Sequence, residues 1–143
     1  MTMNRQSNYF YLAAAMIIDA NHRLLLVRKR NTHKFMLPGG KIEIDESAID
    51  ALIRELNEEI SLQITAQDAV FIDAYEADAA NEPDYKIQSQ LFKITLKNPN
   101  ILRAQAEIEE MLWIEPNTTP DLAYDPLVLE HIFPLWKSII QSA

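Results

Sequence analysis

The sequence predicts an α/β fold, and three observations carry that prediction. Apolar and aromatic runs of strand length recur along the chain, bounded by turn signals. One segment, 47–60, repeats its apolar residues with helical period. An apolar stretch at 127–140 is long enough for a closing helix. With 143 residues the chain suits one domain spanning 1–143, and it can bury a core of its own. Hydrophobic residues at 48% and charged residues at 24% exclude wholesale disorder.

Taken in order, 9–18 reads as a strand, Asp19-Ala20-Asn21-His22 as a turn and 24–27 as a second strand, together a hairpin. Arg28, Lys29 and Arg30 follow as a short basic cluster. Leu37-Pro38-Gly39-Gly40 is expected to break regular structure before the helix at 47–60. Two further strands are expected at 69–75 and 88–96, joined by the polar segment 76–85. A short strand at 111–114 leads through a Pro- and Thr-rich loop to the last helix. Pro134 removes a backbone donor there and should kink or divide it.

Charge and composition narrow the function. Thirteen Lys and Arg against 21 Asp and Glu leave a formal charge of −8, which phosphate backbones and anionic membranes repel. No long nucleic acid and no membrane is expected as a partner. The absence of cysteine excludes disulfides, thiolate nucleophiles and cysteine-bound metals. Residues 1–9 lack the layout of an export signal, and the apolar run 12–18 is too short to span a bilayer, so a cytoplasmic protein is expected.

The acid is concentrated. Glu43, Asp45, Glu46, Asp50, Glu55, Glu58 and Glu59 face only Lys41 and Arg54 between 40 and 62, and both glycines of the chain, Gly39 and Gly40, stand just upstream. On the helix, Ile49, Leu52, Ile53, Leu56 and Ile60 share one side. Glu55, Glu58 and Glu59, at i, i+3 and i+4, occupy an arc that should point elsewhere. Ser47 with Asp50 resembles a capping box. Like charges at these spacings cost a helix about 0.2–0.5 kcal/mol per pair, and the helix dipole disfavours them near the C-terminal end. A solvated acidic face is the usual explanation of such a helix. The adjacent glycine pair favours a different one, a hard divalent cation held by oxygen ligands.

Gly40, Glu46, Arg54, Glu55, Leu56, Glu58, Glu59 and Leu62 match the Nudix box, G-x5-E-x7-R-E-U-x-E-E-x-G-U with U apolar, at eight of nine specified positions. The ninth, a glycine in the family, is Ser61. Leu37-Pro38-Gly39-Gly40-Lys41-Ile42-Glu43 further resembles the MutT-like branch. The resemblance implies an α/β/α sandwich with a mixed sheet. It also implies hydrolysis of a diphosphate bond in a nucleoside diphosphate derivative, most simply a (d)NTP to (d)NMP and pyrophosphate. It further implies Mg²⁺, with Mn²⁺ as substitute, held by Glu55, Glu58, Glu59 and the Gly39 carbonyl. One glutamate, Glu55 by analogy, takes the proton from the attacking water. Arg54 is expected to hold the glutamates through charged hydrogen bonds, and Glu46 to support them from behind. Ser61 should shift the end of the helix slightly and leave activity intact.

Further candidates are weaker. Glu110, three residues before Trp113, corresponds to an extra loop carboxylate of related enzymes, though a surface charge is at least as good a reading. Arg28, Arg30 and Lys41 are candidates to neutralise substrate phosphates, and Tyr124 and Asp125 to contact a base. His33 is placed near the site mouth or on plain surface; Phe35 stacks on a base or, as readily, packs in the core. Trp113 and Trp136 read as core. MutT-like enzymes that prefer oxidised guanine carry an asparagine before the last helix, and Ala123-Tyr124-Asp125-Pro126 has none. ADP-ribose or a nucleotide sugar is the alternative substrate class, and a nucleotide sensor without catalysis the alternative function. Dimers are common in the family.

Overall fold

Alternate residues of the first strand belong to two different cores. β1, Tyr9–Asp19, sends Ala13, Ala15 and Ile17 to one face and Ala14, Met16 and Ile18 to the other, all of them buried. A strand buried on both faces must be apolar throughout, which is why 9–18 shows no polar alternation. The computed structural model describes residues 5–142. The segment read as lacking an export signal is therefore described only from Arg5 onward.

β1 is followed by β2 (Leu24–Lys29), β3 (Gly39–Lys41), α1 (Ala48–Ile60), β4 (Ala69–Asp78), β5 (Lys86–Leu96), β6 (Ile108–Ile114) and α2 (Phe133–Gln141). The sheet runs β4-β5-β1-β2-β6, with β3 also paired to β1. β1 and β5 are parallel along their whole length; every other pairing is antiparallel, so the sheet is mixed. α1 closes one face, packing Leu52, Leu56 and Ile60 on Ala13, Ala15, Ile17, Leu25 and Val27. The C-terminal helix closes the other with Ile132, Phe133 and Trp136 against Met16, Leu24 and Leu26. The result is the expected α/β/α sandwich.

One expectation is overturned, and two others are met in a particular form. Gly39 and Gly40 do not interrupt regular structure; they form β3, with Ala14 opposite Gly39 and Ala13 opposite Gly40. Only glycine can do so at 39, where φ is +143° and a Cβ would lie 2.1 Å from the Ala13 carbonyl oxygen. The hairpin between β1 and β2 pairs only at Ile18 and Leu24, because β3 takes the earlier part of the same edge. The last helical run begins at 126, passes through a π-helical stretch, Val128–Ile132, and continues as α2, so it is divided just before Pro134 as expected. Phe133 N–H reaches back to the Val128 carbonyl, a wider turn that accommodates the donor Pro134 lacks.

α1 begins as its sequence signals. Ser47 Oγ accepts from Asp50 N–H at 3.1 Å. At the other end Ser61 adopts the left-handed conformation, φ 57°, and its N–H and that of Leu62 both reach the Leu56 carbonyl. The turn that glycine would make cheaply is thus made by serine. Among the described residues, no helix is long and apolar enough to cross a membrane.

Candidate active site

The packing of β3 against α1 builds the site. Gly40 has no side chain, and the space is taken by the Glu55 carboxyl group; a Cβ there would stand 2.4 Å from its Cδ. One helical turn on, Glu59 Oε1 accepts from Gly39 N–H at 3.0 Å. Glu59 is 2% exposed, so it is buried rather than turned away from the core as expected, while Ile49 and Ile53 of the core face are only partly buried. The glycine strand explains this: it offers a backbone donor where a core residue would otherwise sit.

Arg54 ties the loop before the helix to the helix. Its Nε and Nη2 meet the two oxygens of Glu46, both at 2.9 Å; Nη1 meets Glu55 Oε1 at 2.8 Å; and Nη2 reaches the Lys41 carbonyl at 3.1 Å. Glu46 also accepts from Glu43 N–H. Glu58 stands outside this network, exposed, 3.9 Å from Arg54 Nη1.

The electrostatics separate these carboxylates. Hydrogen bonds from Arg54, and then the Glu43 amide, draw Glu46 down to about 2. Burial raises Glu55 above the usual carboxylate range, with Arg54 opposing. Burial pushes Glu59 up to about 8, against the Gly39 amide and the charge of Lys29. The Arg54 guanidinium is raised, chiefly by its bond to Glu46.

As they stand, no three His, Asp or Glu side chains among the described residues converge on one point. Glu55 is turned to Arg54 and Glu59 to Gly39. The donor set still fits a hard divalent cation: three glutamates lie within two helical turns, and the missing Gly40 side chain leaves the room that the Glu55 carboxyl occupies. Among the described residues the buried Glu59 carboxylate has one hydrogen bond, from Gly39 N–H, so a cation would offset the cost of its charge.

Beside the glycines opens a cleft of about 400 Å³. Its lining combines Gly39, Gly40, Lys41, Lys29, Arg30 and Glu107 with Leu12, Leu37, Ile87, Ser89, Asp125 and Leu127, and Thr32, Asn81 and Glu82 add further polar groups. Of the basic candidates, Arg30 and Lys41 border this cleft, with Lys41 Nζ 4.4 Å above the Phe10 ring. Arg28 does not; it binds the Thr32 carbonyl and Glu110. Glu110 lies across from Arg28 in the β2–β6 ladder and outside the cleft lining. Glu107 is the carboxylate of that segment that borders the cleft, 3.4 Å from Lys29 Nζ. Tyr124 is spent on structure: its hydroxyl donates to the Pro120 carbonyl at 2.6 Å and its ring meets Phe133 edge-on.

Asp125 is 6% exposed and caps the C-terminal helical run through Val128 N–H at 2.8 Å, and burial lifts it to about 6. Phe35 and Trp136 are buried, Trp113 partly so, and His33 is exposed outside the cleft lining. Sequence reasoning missed Lys29, Ser89 and Glu107. Glu107 had one signal, its place in the acidic run Glu107, Glu109, Glu110, but only strand register distinguishes these three.

The chain matches the NUDIX domain over residues 10–134. It belongs to the Nudix hydrolase family. The Nudix fold recurs in a crystal structure of a MutT/nudix family protein from Enterococcus faecalis, at a TM-score of 0.75 and 14% identity. That match covers 99% of this chain, which spans 66% of the Enterococcus chain. An ADP-ribose pyrophosphatase of Methanocaldococcus jannaschii is 27% identical over 135 residues, 91% of this chain and 78% of its own. A Bacillus subtilis protein provisionally named as an 8-oxo-dGTP diphosphatase is 24% identical over 108 residues, 76% of this chain and 68% of its own. The chain is a Nudix pyrophosphohydrolase, and Nudix hydrolases in general use divalent metal ions.

Proposed function

We propose that the chain hydrolyses nucleoside triphosphates to the monophosphate and pyrophosphate with Mg²⁺, Mn²⁺ serving as a substitute. One observation carries this reading: a single cleft is lined both by the glycines and cations beside the Nudix helix and by apolar residues together with Asp125. The cations suit a polyphosphate, and the apolar residues a flat base.

Glu55, Glu58 and Glu59 would hold the cation, which when bound supplies charge neutralisation for the diphosphate oxygens. Lys41 and Arg30, which line the same cleft, add positive charge for the phosphates. Glu55 takes the proton of the attacking water; its raised carboxyl suits a base better than Glu46, which Arg54 holds ionised. Arg54 keeps Glu55 oriented and does not itself border the cleft. The relative from Methanocaldococcus, by its name, favours ADP-ribose as the second reading.

The test is release of phosphate and pyrophosphate with Mg²⁺ from canonical and oxidised dNTPs, NTPs, ADP-ribose and sugar nucleotides. Pyrophosphate from triphosphates, lost on Glu58→Ala, supports the first reading; turnover of ADP-ribose alone replaces it with the second. Nucleotide binding without turnover of any of them would make the chain a sensor.

A further inference from the structure

One polar atom in the cleft wall has no protein partner. Ser89 Oγ is fully buried and makes no hydrogen bond, the only such side-chain atom among the described residues. Leaving a buried hydroxyl unpaired costs about 1–3 kcal/mol. Alanine or valine would pack this strand position without that cost. Ser89 lies in β5 between Leu12 of β1 and Tyr75 of β4, and it borders the cleft.

Asp125 borders the same cleft, with one oxygen bonded to Val128 N–H and the other without a hydrogen bond among the described residues. Leu12, Leu37, Ile87 and Leu127 supply apolar walls. A heterocycle would cover them with its faces and present donors and acceptors only at its edge.

We infer that Ser89 is a specificity-determining residue that hydrogen-bonds the polar edge of a nucleobase, with Asp125 accepting from a neighbouring donor on that edge. The ring must part the cleft walls slightly to reach the hydroxyl, and the bond Ser89 gains offsets that cost. The inference rests on the nucleoside triphosphate reading above and assigns the part of the site that chooses the base.

The experiment compares wild type and Ser89→Ala for steady-state kinetics on nucleoside triphosphates, inhibition by inorganic tripolyphosphate, and Tm. Expected is a KM about tenfold higher for the preferred nucleotide, the worth of one buried hydrogen bond. The kcat should change less than twofold, the tripolyphosphate inhibition constant should stay unchanged, and Tm should not fall. Equal weakening of nucleotide and tripolyphosphate, or no change for any nucleotide, would overturn the inference. Asp125→Asn keeps the helix cap and should reorder the preferred bases; an unchanged order also counts against it.

If wild type cleaves no triphosphate, the hydrolase reading fails by itself. Calorimetric binding of nucleoside monophosphates then decides the role of Ser89: tighter binding by wild type than by Ser89→Ala supports it, and equal or absent binding refutes it.

Discussion

The carboxyl group of Glu55 occupies the space that a side chain on Gly40 would fill, 2.4 Å from the position of the missing Cβ. The neighbouring Gly39 fails to tolerate a side chain for another reason, since its Cβ would strike the backbone of Ala13 and Ala14. The two glycines therefore predict different losses. Gly40→Ala displaces the flexible end of one side chain, so turnover should fall about 10–100-fold while Tm stays within a few degrees. Gly39→Ala must move β3 off β1 and should cost on the order of 2–4 kcal/mol of stability. Thermal unfolding and turnover of both variants, side by side, check this.

Arg54 binds Glu46 with two nitrogens and Glu55 with a third donor. Lysine carries one point charge and cannot reproduce that fork. Arg54→Lys should lower turnover on the order of 10–100-fold while circular dichroism of the folded chain stays unchanged. Full activity would show that the fork does not position Glu55.

Asp125 gives a pH signature away from the glutamates. Burial lifts it to about 6 from 3.8, so the folded chain binds its proton more tightly than the unfolded chain. The penalty is absent below about pH 3.8, grows as pH rises, and is complete above about pH 6. Asp125→Asn removes it and keeps the cap on Val128. The variant should gain on the order of 2–3 kcal/mol over wild type at pH 7.5, and little at pH 4. Urea unfolding at the two pH values measures the difference.

Ser61 stands where the family has glycine and holds a left-handed conformation. That costs a non-glycine residue about 1–2 kcal/mol, part of which glycine returns through the freedom of its unfolded state. Ser61→Gly should therefore stabilise by about 0.5–1 kcal/mol with turnover unaltered. A fall in Tm would mean that serine makes a compensating contact.

The sequence by itself determined what is local. Helical period placed Glu55, Glu58 and Glu59 on one helix, Ser47 marked its start, and the spacing to Gly40 identified the family. Apolar runs located five of the six strands; burial on both faces demands such a run in the central β1, while the edge strand β4 is largely exposed. Tertiary structure decided whatever depends on pairing between distant segments. β3 was invisible because a three-residue glycine strand has no hydrophobic pattern; it exists only against Ala13 and Ala14. Glu59 reads as a surface charge until the Gly39 amide meets it. The register of β2 on β6 sets Glu110 against Arg28, while Glu107, just before β6, lines the cleft. Ser89 looks like any strand serine until three strands close around a hydroxyl with nothing to bond. Local spacing fixes which groups share a helix face, whereas burial and register are set by contacts between residues far apart in the chain.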